Sequence, residues 1–179
     1  MGLYNYGNIA KSTGLNKPGA CKLLIAPLSY LSSIKKPTAS SAAGDTKTIS
    51  QTHTFESGKG FIEALGNVRN KNTAKGSSIG ELGSRSMKVE ITAMVAGLNA
   101  PLLELLESGT NEDWIVLLED GCCEVGNPKY MQFGCEDVPA NMTGEIDYGT
   151  IEGGFKGATL KFESYGVPNV YTGTVTLYS

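Results

Sequence analysis

The sequence predicts a mainly β fold, an antiparallel β-sandwich or barrel with one short α-helix and long loops, on three observations. Arg85 to Val95 alternates with a period of two. Met87, Val89, Ile91, Ala93 and Val95 share one face, and Lys88, Glu90, Thr92 and Met94 the other, as in a half-buried strand. Short apolar runs recur between turn signals, and 23 glycines supply the turns. Only residues 99–108 carry both the stripe and the caps of a helix. Asn99 can cap it, Pro101 suits its first turn, and Leu102, Leu105 and Leu106 line one side. Gly109 is expected to end it in the left-handed conformation.

The other elements follow in chain order. Residues 1–20, rich in Gly, Asn, Lys and Ser, read as an N-terminal arm that closes on the turn signal Lys17-Pro18-Gly19. Cys21 to Leu28 reads as a first buried strand, ended by Pro27, and residues 34–45 have the composition of a loop. Lys47 to Glu56 alternates, with Thr48, Ser50, Thr52 and Thr54 opposite Ile49, Gln51, His53 and Phe55, and predicts a half-polar strand. Gly58 and Gly60 break it, and Phe61 to Leu65 fits a strand or a helical turn. Residues 66–83 are polar and longer than a hairpin connection, so a second long loop is expected there. Trp114 to Leu118 is a continuous apolar run, read as a buried strand with Trp114 in the core. Short strands are expected near Tyr130 to Phe133, Glu145 to Tyr148, Ala158 to Glu163 and Thr172 to Tyr178. At 179 residues and 40% hydrophobic content, residues 1–179 are expected to form one domain.

Fifteen Lys and Arg against 18 Asp and Glu give a net charge of −3 with no long run of either sign, which disfavours tight nucleic-acid binding. No basic stretch followed by an apolar run opens the chain, and Trp114 to Leu118 is far too short for a bilayer core of about 30 Å. A soluble protein made in a cytoplasm, away from membranes, is the expectation. The four cysteines lack C-x2-C spacing, so reduced structural thiols are expected rather than a zinc site or disulfides. Alkylation without reductant should label all four, as read by mass spectrometry, and fewer labels after denaturation would contradict that reading.

Catalytic patterns are missing too. His53, the single histidine, has no identifiable nucleophile or orienting carboxylate and reads as a structural or surface residue. Gly58-Lys59-Gly60 lacks the spacing of a phosphate-binding loop, and Glu119, Asp120, Glu124, Glu136 and Asp137 lack that of a calcium loop. No enzyme activity, cofactor or metal is expected.

The order of elements resembles the tail tube proteins of long-tailed bacteriophages, which are related to the tube subunits of contractile injection systems. The resemblance rests on Cys21-Lys22-Leu23-Leu24-Ile25-Ala26-Pro27 after Lys17-Pro18-Gly19, and on the long alternating strand running into Val95-Ala96-Gly97-Leu98-Asn99 and a leucine-rich helix. It continues through Trp114 to Gly121 and the glycine-rich short strands that follow. It implies a virion protein, assembled in the bacterial cytoplasm, whose six-subunit rings stack head to tail around a channel. Its partners would be further copies of itself, the tape measure and terminator proteins, the sheath in a contractile tail, and DNA in transit. By this resemblance Lys47 to Glu56 and Arg85 to Val95 line the tube, with Thr48, Ser50, Thr52, Thr54, Lys88, Glu90 and Thr92 facing the lumen. Met87, Val89, Ile91, Val95, Leu102, Leu105, Leu106 and Trp114 then face the core. Lumens of the family tend to be acidic, and Lys88 stands against that. Residues 34–45 and 66–83 are both open to the ring-to-ring role, the longer one preferred. Two alternatives stay open: another phage structural subunit (neck, terminator or decoration protein), and a ligand-binding β-sandwich, for which the dispersed tyrosines supply the aromatics.

Overall fold

The computed structural model describes residues 20–38, 44–64, 73–120 and 129–178. Most of the N-terminal arm, the centre of the 34–45 segment, Cys122 and Cys123 lie outside them. The fold is mainly β and sandwich-like, with one short helix. Its strands are β1 (Ala20–Pro27), β2 (Leu31–Ser33), β3 (Thr48–Ile49), β4 (Thr54–Phe55), β5 (Ile62–Ala64), β6 (Thr73–Ile79) and β7 (Ser86–Ala96). After helix α1 (Ala100–Gly109) come β8 (Asp113–Asp120), β9 (Lys129–Phe133), β10 (Ala140–Asp147), β11 (Gly157–Tyr165) and β12 (Asn169–Tyr171). Ten strands form one sheet and β2 pairs β4 in a second.

β1 and β8 are the hinge of the architecture. They pair antiparallel, Leu24 opposite Leu117 and Ile25 opposite Val116. Both are continuous apolar runs because both of their faces are covered. Leu23 and Ile25 of β1, with Trp114, Val116 and Leu118 of β8, enter one core. Leu24 and Ala26, with Ile115 and Leu117, enter a second on the other side. The first core is closed by β7, β10, β11 and α1, which contribute Val89, Ile91, Ala93, Leu102, Met142, Leu160 and Phe162. The second is closed by Ile49, Phe61, Tyr130 and Tyr171.

β8 is also where the sheet forks. Its N-terminal end pairs β10 through Ala140–Trp114 and Asn141–Asp113, and its C-terminal half pairs β9. One limb then runs β10-β11-β7-β6 and the other β9-β12-β3. Among the described residues the sheet does not close into a barrel, and it is mixed rather than wholly antiparallel, since β12 runs parallel to β3.

Helix α1 begins as expected. The Asn99 side chain accepts from the Leu102 N–H at 3.0 Å, and Pro101 lies in the first turn. Its C-terminus is different: Gly109 is the last helical residue and Thr110 caps it in the right-handed region. Glycine suits the space here, because a Cβ would meet Trp114 Cζ2 at 3.0 Å and the Met142 methyl at 2.5 Å, so that the methionine would have to move. That close approach lets the Trp114 indole N–H donate to the Gly109 carbonyl at 2.8 Å.

Three further sequence readings are corrected. Within the polar segment 66–83, residues 66–72 lie outside the described residues, and Thr73–Ile79 is a seven-residue strand rather than loop, in full register with β7, Ala74 opposite Ile91. Lys47 to Glu56 is not one strand either, but a turn, two two-residue strands and an irregular stretch between them. Side chains replace the ladder in that stretch: Thr52 Oγ1 accepts from the Thr174 N–H, and the Tyr171 hydroxyl from the His53 N–H. Thr172 to Tyr178 is likewise irregular, apart from a bridge that sets Leu177 beside Phe61.

Candidate functional site

The limb β10-β11-β7-β6 carries the one extended polar sheet face among the described residues. The period of two that buries Val89, Ile91 and Ala93 turns Lys88, Glu90 and Thr92 to the opposite side. Register then assembles rows across four strands. Thr143, Lys161, Thr92 and Thr73 form one row, and Asn141, Glu163, Glu90 and Lys75 the next. Tyr165, Lys88 and Ser77 follow.

Charges on this face are answered by neighbours. Lys88 Nζ lies 2.9 Å from both Glu163 Oε1 and Glu90 Oε1, and these hydrogen bonds, the Glu163 one first, hold its ammonium above the usual lysine range. Lys161 pairs with Glu145 across the β10–β11 ladder. Lys75 sits opposite Glu90. Lys88, the residue that stood against an acidic face, is thus flanked by two carboxylates.

Among the described residues, both long edges of this limb are without a strand partner along most of their length. No described strand pairs with the outer side of β6, and β10 has no described partner there beyond Asn141. β6 is exposed from Thr73 to Ser78 and carries no proline, so its outer edge presents backbone donors and acceptors that no other described strand takes up.

The structure splits the residues expected to face a lumen. Lys88, Glu90 and Thr92 share the polar face, but Thr48, Ser50, Thr52 and Thr54 do not. Thr48 lies on β3 beside β12, at the far end of the other limb, Thr54 lies on β4 beside β2 in the second sheet, and Ser50 and Thr52 lie in the irregular stretch between. Of the residues expected in the core, Val89, Ile91, Leu102 and Trp114 are buried in the first core, and Met87, Val95, Leu105 and Leu106 pack against it.

His53 is buried, with its ring stacked on Tyr171 at 4.8 Å. Its Nδ1 accepts from the Lys35 N–H at 3.0 Å, so the other nitrogen carries the proton and Nε2 donates to Gln132 Oε1 at 2.8 Å. Gln132 Nε2 donates to the Gly134 carbonyl, and the Gly134 N–H donates to Ser164 Oγ. The network joins the 34–38 segment to β9 and β11. Burial lowers the His53 pKa, and the charge of Lys35 adds to that against the opposing Gln132 hydrogen bond. A group with a folded pKa below its unfolded value near 6.5 costs stability as pH falls, since the unfolded chain takes up the proton first. The urea midpoint should therefore drop between pH 7.5 and 5.5, and His53→Phe should flatten that drop; an unchanged drop would remove His53 as its source.

On the core side of the limb, α1 and β5 enclose a cleft of about 580 Å³. Ile62, Val95, Leu102 and Leu105 form its apolar wall, and Glu63, Glu104 and Glu112 lie around it. Glu63 meets Lys22 at 3.6 Å; Glu104 and Glu112 have no ion-pair partner among the described residues.

No protein-family model matches the chain, and neither a curated protein nor a solved structure matches it.

Proposed function

We propose that the protein is a structural subunit of a phage-type tail tube, polymerising as stacked rings with the polar face of β10-β11-β7-β6 turned to a channel for DNA. The observation that carries this reading is the combination, in one four-stranded antiparallel limb, of a face of paired charges and hydroxyls with two open edges. A polar face suits a water-filled lumen. Open edges suit pairing between β6 of one copy and β10 of the next, which removes the hazard that a long unpartnered strand presents. With Lys88 and Lys161 engaged by glutamates, phosphates sliding past meet few unpaired cations. The ring of six and the stacking remain what the resemblance implies.

Negative-stain microscopy of the purified protein at high concentration tests the reading. Hollow tubes of uniform bore are the expected result. Isolated rings that never stack would favour a terminator or neck subunit, and compact monomer at every concentration would overturn assembly altogether.

A further inference from the structure

The cleft between α1 and β5 is one-sided in charge. Glu63, Glu104 and Glu112 line it, and among the described residues no lysine, arginine or histidine does. Glu104 and Glu112 are exposed and have no ion-pair partner among those residues. Two tyrosines also line it, Tyr30 from the turn after β1 and Tyr178, whose N–H donates to the Phe61 carbonyl at 2.9 Å. Their rings stack with centroids 6.0 Å apart. This pair already holds an ammonium: Lys59 Nζ stands 4.5 Å from the Tyr30 centroid and 5.5 Å from that of Tyr178, with no described carboxylate in contact. Both distances lie within the roughly 6 Å over which a ring face attracts a cation.

We propose that the cleft is a binding site for a small amphipathic organic cation, an alkylammonium with an apolar body. Its head takes the place of Lys59 Nζ over Tyr30 and Tyr178, and its body lies on Ile62, Val95, Leu102 and Leu105. Three features select that class. The volume of about 580 Å³ falls within the roughly 300–1,000 Å³ of small-molecule sites. Carboxylates without cations in the lining favour a positive ligand and repel a negative one. The tyrosine pair accepts an ammonium without help from a carboxylate, an attraction that a neutral ligand would leave unused. Lys59 is a removable competitor, because its backbone is fixed separately by its N–H on the Glu56 carbonyl at 3.0 Å. The cleft lies on the core side of the limb, away from the polar face, so this site does not rest on the reading that the chain polymerises.

Hexyltrimethylammonium is the probe, and the emission of Trp114, the single tryptophan and part of the cleft wall, reports its binding. Saturable binding with a dissociation constant of about 1 mM or tighter is expected, with 1-hexanol and hexanoate about tenfold weaker. Glu104→Gln/Glu112→Gln should weaken the cation about fivefold and Tyr30→Leu about threefold, while hexanol is unaffected by the first pair. Lys59→Ala should tighten the cation about twofold or more, since the resident ammonium no longer competes. Hexanol that binds as tightly as the cation would overturn the proposal and leave a merely apolar cleft. A Lys59→Ala variant whose affinity falls or stays the same would overturn it as well. So would the absence of saturable binding, the result expected if the protein itself, in the same copy or another, fills the cleft.

Discussion

Ile91→Lys is expected to abolish folding, and assembly with it, whereas Thr92→Lys, one residue along the same strand, should leave both intact. Ile91 is 1% exposed and stands in the middle of the first core, opposite Phe162 on β11 and Ala74 on β6. An ammonium there has no described carboxylate within the core to meet it, and burying it unpaired costs several kcal/mol against a total stability of about 5–15. Thr92 lies on the polar face opposite Lys161, which already has Glu145 for a partner. A lysine there adds one like-charge neighbour, a penalty on the order of 0.5 kcal/mol. Circular dichroism, urea titration and microscopy of both variants decide the matter. A folded Ile91→Lys beside an unfolded Thr92→Lys would mean that the faces of β7 are reversed.

Trp114→Ala should be the next most damaging change, with a loss of about 3–5 kcal/mol in unfolding free energy. The indole is 2% exposed and meets Phe162 edge to face at 6.2 Å. Its N–H is also the nearer of two donors to the Gly109 carbonyl at the end of α1, so truncation opens a cavity and leaves that carbonyl with the Glu112 N–H alone, at 3.3 Å. Trp114→Phe separates the two effects. It keeps much of the ring volume and loses the hydrogen bond, so a loss of about 1–2 kcal/mol is expected. If the phenylalanine variant proved as unstable as the alanine one, the hydrogen bond rather than the volume would be the dominant part.

What was legible in the sequence divides along a physical line. β1, β7, β8 and α1 could be read because burial writes itself into composition: both-face burial as a continuous apolar run, one-face burial as alternation, a helix as a leucine stripe behind Asn99. β6 could not. Its residues are exposed on both faces, Ile79 being the one half-buried member, so no hydrophobic period marks Thr73–Ile79 as a strand. The opposite error arose at Lys47 to Glu56, where the sequence alternates but burial does not: Ile49 and His53 are inside, Ser50, Gln51 and Thr52 are all outside, and side-chain hydrogen bonds hold the stretch instead of a ladder. The polar face was half legible. Lys88, Glu90 and Thr92 follow from one strand's alternation, but Glu163, Lys161 and Glu145 join them only through register across β11 and β10, which no single segment records.

The pairing of β3 with β12 has a consequence for the order in which the molecule is made. His53 receives a hydrogen bond partner from a residue 118 positions later, and the Thr172 hydroxyl reaches the Ile49 carbonyl across 123. On the ribosome, residues 48–61 must wait with Ile49, His53 and Phe61 unroofed until residues 169–178 emerge, and contacts of such sequence separation form late and slowly. The first core, by contrast, is complete once β11 has been synthesised. A nascent chain would thus present the finished β10-β11-β7-β6 limb while its second core was still open, at an elongation rate of roughly 5–20 residues per second. The interval is short, and chains on one polysome would spend it side by side with their open edges already formed.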